Sequence, residues 1–156
     1  MAGGPAAPAA GAPVSFLIDY DGTISRVDIG DELLRRHYDN RAEFERLDAL
    51  YDAGKIGSRD LMKWDMDVLP RDAELLRREA AAMPQDEAFP GFVAAVRGRG
   101  AQVEVVSDGL GFYIEPNLAA LGVTDVTLAV NANRVENGGE GMFFPFSHPT
   151  CFVCSF

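Results

Sequence analysis

The chain is 156 residues long and 47% hydrophobic, enough for one compact domain carrying a small insertion and too short for two full domains. Its formal charge of −10, with Lys55 and Lys63 as the only lysines, argues against binding to nucleic acid or an anionic membrane, both of which need clustered cations. An acidic chain that handles an anionic substrate must recruit a cation or backbone N–H groups.

Residues 1–13, MAGGPAAPAAGAP, are small and uncharged, with too little side chain to order themselves, and are expected to form a disordered leader. A secretory signal would need a basic start and an apolar stretch of roughly 7 to 15 residues, and a membrane span about 18 apolar residues. The chain shows neither, so a cytoplasmic location is expected. Val14 to Ile18, VSFLI, reads as a strand buried on both faces of a parallel sheet.

From Asp28 to Met83 the apolar residues recur at helical spacing: Leu33, Leu34 and Tyr38, then Phe44, Leu47, Leu50 and Tyr51, then Leu61, Trp64 and Val68, then Leu75, Leu76 and Ala80. This predicts a four-helix insertion over 28–83, broken at Asp39-Asn40, at Gly54 and Gly57-Ser58, where Ser58 is expected to cap the next helix, and at Pro70. Met62, Trp64 and Met66 are read as core of the insertion, and His37 as a solvated residue on a charged helix.

A helix over Gly91 to Arg97, a strand at Ala101 to Val106, a helix at about Phe112 to Leu121 and a strand at Val126 to Val130 follow. Beyond Asn131 a Gly-Gly turn suggests a hairpin. Cys151 and Cys154 read as free thiols; with His148 they make three metal ligands in reach, without an obvious fourth for zinc. The whole pattern is an α/β fold: a doubly wound parallel sheet formed by 14–27 and 84–156, with a helical cap at 28–83.

In open parallel sheets ligands bind beyond the carboxyl ends of the strands. There the first strand delivers Asp19 and Asp21, and the second delivers Ser107, Asp108 and Gly109. Residues i and i+2 of an extended chain point the same way, so the two carboxylates share a small volume and need a divalent cation to offset their repulsion. Oxygen donors suit Mg²⁺, which shares substrate phosphate oxygens. Gly22, Thr23 and Gly109 stand where backbone N–H groups can turn toward an anion.

The order DYDGT behind an apolar strand, with VVSDG following, resembles the motifs of haloacid dehalogenase superfamily phosphohydrolases. The inserted helices resemble the cap of the phosphoserine-phosphatase-like branch. DYDGTISRVDIGDELL, FPGF and SHPTC resemble phosphatases related to the methionine-salvage enzyme acting on 2-hydroxy-3-keto-5-methylthiopentenyl-1-phosphate. The likeness runs from about Val14 to Cys154. It implies Asp19 as nucleophile, Asp21 as general acid and base, and Mg²⁺ held by the Asp19 side chain and the Asp21 backbone carbonyl. It also implies that Ser107 donates to the phosphoryl group and that Asp28 meets the substrate.

Relatives carry a third motif with Lys or Arg and a fourth with acidic residues. Past Lys63 there is no lysine, and past the second strand only Arg134, so a chain ending before the last third of the fold is expected. Two functions stay open: a Mg²⁺-dependent hydrolase of a small phosphorylated metabolite, with phosphoserine one substrate within that class, or a catalytically silent phosphate- and Mg²⁺-binding fragment. A homodimer is the one protein association left open.

Overall fold

The computed structural model describes residues 14–131. The leader at 1–13, the hairpin beyond Asn131 and the Cys151, Cys154 and His148 cluster lie outside the described residues.

Strand β1 (Ser15–Ile18) pairs in parallel with β2 (Gln102–Leu110), Ser15 opposite Gln102 through Ile18 opposite Val105. Strand β3 (Thr127–Asn131) pairs in parallel along the other edge of β2, giving the order β1-β2-β3. The ladder between β2 and β3 is irregular between Val106 and Leu110, the stretch that carries Ser107, Asp108 and Gly109. Strand β2 thus runs four residues beyond its expected end, and the second motif lies inside it rather than after it.

Four helices fill the insertion: α1 (Ile29–His37), α2 (Arg41–Asp52), α3 (Ser58–Val68) and α4 (Ala73–Ala81). Asp28, Asn40 and Asp72 cap α1, α2 and α4 by accepting the backbone N–H three residues on. Ser58 does not cap α3. The extended Gly57 takes the cap position without a side chain to offer, which leaves Ser58 in the first helical turn. Helix α5 (Phe89–Arg97) starts two residues earlier than its spacing suggests, because Pro90 has the φ of a first turn and lacks an N–H that would go unpaired there. Helix α6 (Gly111–Ala120) leads from β2 toward β3.

Phe16 meets Phe92 edge to face at 5.6 Å, which places α5 on the sheet face that holds Val103 and Val105, 4% and 0% exposed. The opposite face presents Leu17 and Val106, 66% and 41% exposed. The expectation of strands covered on both faces therefore does not hold among the described residues. Among the described residues strand β1 lies at the edge of the sheet, and its α5 side, with Phe16 39% exposed, is better covered than the side of Leu17.

One apolar cluster runs from the sheet into the cap, with Tyr20, Ile24, Ile29, Leu33, Leu76 and Ile114 fully buried. Helix α4 of the cap lies on α6, and the Asn117 side-chain amide donates to the Ala80 carbonyl at 3.4 Å. The two chain passages between cap and sheet are stitched together: Arg26 N–H donates to Pro84 O at 3.0 Å and Asp86 N–H to Ile24 O at 2.8 Å. His37 is not solvated; its Nε2 lies 2.6 Å from Glu79 Oε2, tying α1 to α4 with only 17% of the imidazole exposed. Met66 is buried and Trp64 meets Tyr38 edge to face at 5.2 Å, as core residues should, whereas Met62 also borders the cavity described next.

Candidate active site

Beyond Ile18 the chain leaves β1 with Asp19 and folds into a tight turn over Tyr20–Ile24. Asp19 Oδ1 accepts the Tyr20 N–H at 2.8 Å, and Ser25 N–H closes the turn on Tyr20 O at 2.9 Å. Gly22 sits at φ +73°, a backbone setting that L side chains resist. Tyr20 is fully buried, and its hydroxyl donates to Gln85 Oε1 at 2.7 Å, which anchors the turn to the returning chain. Burial is the main reason its phenol is pushed up to about 12.

Asp21 is held from two sides. Ile29 N–H, at the start of α1, donates to Oδ1 at 3.0 Å, and the Tyr113 hydroxyl of α6 donates to Oδ2 at 2.9 Å. Partial burial pushes its carboxyl up to about 6; the Ile29 and Tyr113 bonds oppose that rise, while the charges of Asp28 and Asp108 add to it. Tyr113 is 2% exposed and its phenol is pushed far up, chiefly by burial, so it remains a donor.

Gly109 joins the two motifs. A Cβ there would collide with Asp21 Oδ2 and Tyr113 Oη, so a side chain at this position is incompatible with the observed packing. Its N–H donates to Ser107 Oγ at 3.0 Å, with Ser107 buried. Asp108 has its carboxyl raised by partial burial first and then by repulsion from Asp19 and Asp28.

Between this edge and the cap lies a cavity of about 220 Å³. It brings together Asp21, Asp28, Asp108 and Gly109 of the expected site, with Asp28 also serving as the α1 cap. Asp19 is exposed and stands outside the lining. Thr23 does not line this cavity and borders a separate, mainly apolar hollow with Ile18, Ile24, Phe89 and Phe92. Two of the three N–H groups expected to face an anion are already committed, Gly22 to Val27 O at 3.2 Å and Gly109 to Ser107 Oγ.

The cavity also contains residues that the sequence did not single out: Tyr113, and Asp31, Asp48, Asp52 and Asp65 from the cap helices. Burial pushes Asp65 up to about 8, with repulsion from Asp31, Asp28 and Asp48 adding to it, and burial followed by repulsion from Asp28 pushes Asp31 up to about 6. Asp31 lies on α1 and Asp48 and Asp52 on α2, at positions that the apolar spacing does not mark.

A parallel α/β sheet with carboxylates at the carboxyl ends of its strands, and four inserted helices across a cavity from them, describes the class of fold. The profile of the haloacid dehalogenase-like hydrolases matches residues 16–148, and the chain belongs to that family. Comparison with curated proteins finds no match. Among solved structures, a phospho-aspartyl intermediate analogue of phosphoserine phosphatase superposes with a TM-score of 0.62 at 19% identity over 85% of this chain. A substrate-bound phosphoserine phosphatase complex gives 0.63 at 20% identity over 82%. A HAD family hydrolase from Salmonella enterica subsp. enterica serovar Typhi gives 0.70 at 14% identity over 88%. The chain spans 61%, 60% and 48% of the lengths of these three proteins, respectively.

Proposed function

We propose that the chain carries the phosphoryl-transfer site of a phosphomonoester hydrolase acting on a small phosphorylated metabolite. The observation that carries this reading is the meeting of the two motifs: Asp21, Gly109 and Tyr113, distant in sequence, are in contact at the sheet edge beside Asp19.

An Asp19 carboxylate oxygen attacks phosphorus and the ester P–O bond breaks, leaving an aspartyl-phosphate. Asp21 gives its proton to the departing alkoxide. It then takes a proton from water, whose oxygen attacks phosphorus and breaks the bond to Asp19, releasing phosphate and restoring both carboxyls. A carboxyl pushed up to about 6 is suited to both roles near neutrality. Tyr113 and the Ile29 N–H hold Asp21 in place for both transfers.

Repulsion of Asp21 by Asp28 and Asp108, and of Asp108 by Asp19 and Asp28, fits a site built around a divalent cation. The Asp19 side chain and the Asp21 backbone carbonyl would hold Mg²⁺, with water and phosphate oxygens completing its shell; among the described residues no group of three or more His, Cys, Asp or Glu forms a ready-made metal site. When bound, the ion neutralises charge on the phosphoryl oxygens. The motif resemblance to the methionine-salvage phosphatases, and the phosphoserine phosphatases among the structural neighbours, support a small metabolite as substrate.

Phosphate release from p-nitrophenyl phosphate is expected to require Mg²⁺ and to vanish in Asp19→Asn. Metal-independent release that survives the substitution would sink the reading. Binding of phosphate and Mg²⁺ by calorimetry without turnover would assign the chain a binding role instead.

A further inference from the structure

Tyr20 stands between Asp19 and Asp21 with its side chain fully buried, and its phenol takes no part in the phosphoryl-transfer steps. Its hydroxyl donates to Gln85 Oε1 at 2.7 Å, on the chain that returns from the cap. Burial raises the phenol, and a hydrogen bond with the Asn117 side chain of α6 is the first influence to oppose that rise. Asn117 follows Tyr113 by one helical turn, so the same face of α6 reaches Tyr20 with one residue and Asp21 with the other.

Both partners are tied to the end of the cap. Gln85 Nε2 donates to Met83 O at 3.3 Å, so both ends of the amide are used and its oxygen is turned toward Tyr20. The Gln85 backbone forms an isolated antiparallel bridge with Ser25, whose N–H closes the turn on Tyr20 O. Asn117 is 3% exposed and donates to Ala80 O in α4. Gln85 stands outside the cavity lining, so any effect it has on the reaction passes through the turn.

Neighbours in a tight turn share planar peptide units, so a fixed phenol restrains the backbone on either side of it. Tyr20 N–H donates to Asp19 Oδ1 at 2.8 Å, which carries that restraint to the Asp19 carboxylate. We infer that Tyr20 and Gln85 are positioning residues whose hydrogen bond registers the turn bearing Asp19 and Asp21 against the chain returning from the cap. This rests on the hydrolase reading, and adds to it that the alignment of the two carboxyls depends on a polar link to the chain leaving α4.

The test is a double-mutant cycle on Tyr20→Phe and Gln85→Leu, read by kcat and KM for p-nitrophenyl phosphate in excess Mg²⁺ and by the thermal midpoint. Each single variant leaves one polar group of the pair without its partner and lowers the midpoint. The double variant removes both groups, and its midpoint is expected to recover toward wild type. The kcat is expected to fall about tenfold in both single variants and to stay at that level in the double variant, with KM little changed. Recovery of kcat together with the midpoint, or a wild-type kcat in either single variant, overturns the inference and reduces the pair to packing. Gln85→Asn, which withdraws the amide by one methylene, is expected to show the same fall in kcat and decides alone if the apolar variants do not fold. If wild type does not hydrolyse p-nitrophenyl phosphate, the hydrolase reading fails and calorimetry with inorganic phosphate and Mg²⁺ decides. Binding about tenfold weaker in Gln85→Asn than in wild type then upholds the inference, and equal affinity, or no binding by wild type, overturns it.

Discussion

Asp21 depends on a donor that lies 92 positions away. The Tyr113 hydroxyl reaches its Oδ2 only because Gly109 has no Cβ to block the approach. A hydrogen bond to a charged group contributes about 1.5 to 3 kcal/mol, so Tyr113→Phe is expected to lower kcat for aryl phosphate hydrolysis by tenfold or more while KM changes little. An unchanged kcat in a folded variant would reduce Tyr113 to a packing residue. The position of the two aspartates after β1 and of the Ser107 to Gly109 run in β2 near them could be anticipated from the sequence, because each is a contiguous run next to an apolar strand. Tyr113 was not, since nothing local to α6 shows that its first turn packs against the loop after β1.

The helices of the cap were legible in number and order from apolar spacing, and their starts were less so. Asp72 resembles any loop carboxylate in sequence, yet its side chain accepts the Leu75 N–H at 3.0 Å and begins the helix that lies on α6. Loss of such a cap costs about 1 kcal/mol, so Asp72→Ala is expected to lower the thermal midpoint by a few degrees and Asp72→Ser to restore most of it. Equal losses in both variants would show that the aspartate acts through charge alone. The ends of β2 were misplaced for a different reason: Ser107, Asp108 and Gly109 have low strand propensity, and pairing with β3 at Leu110 and Asn131 overrides it.

At the level of the entire chain, the charge of −10 is not spread evenly, since seven aspartates border one cavity. Asp65 shows the consequence for stability. Its carboxyl is raised from 3.8 to about 8 in the folded chain, so between about pH 4 and pH 8 the unfolded form has given up a proton that the folded form retains. Stability contributed at this position is therefore highest below about pH 4 and falls as pH rises, by at most about 1.4 kcal/mol per unit. Asp65→Asn lacks this slope. Its unfolding free energy is expected to match wild type near pH 4 and to exceed it by an amount that grows up to about pH 8, reaching a few kcal/mol. A constant difference across that range would mean that Asp65 is solvated in solution. No helix among the described residues is long and apolar enough to cross a membrane.

Periodicity and turn chemistry act over a few residues, so the parallel α/β class, the inserted helices and the paired carboxylates at the end of β1 could be read directly from the order of amino acids. Contacts across the fold are set by how helices lie on the sheet and on one another, and no local pattern encodes them. For that reason the Tyr113 bond to Asp21, the commitment of the Gly22 and Gly109 N–H groups, the His37 and Glu79 pair and the acidic wall made by three separate helices emerged only once the chain was folded.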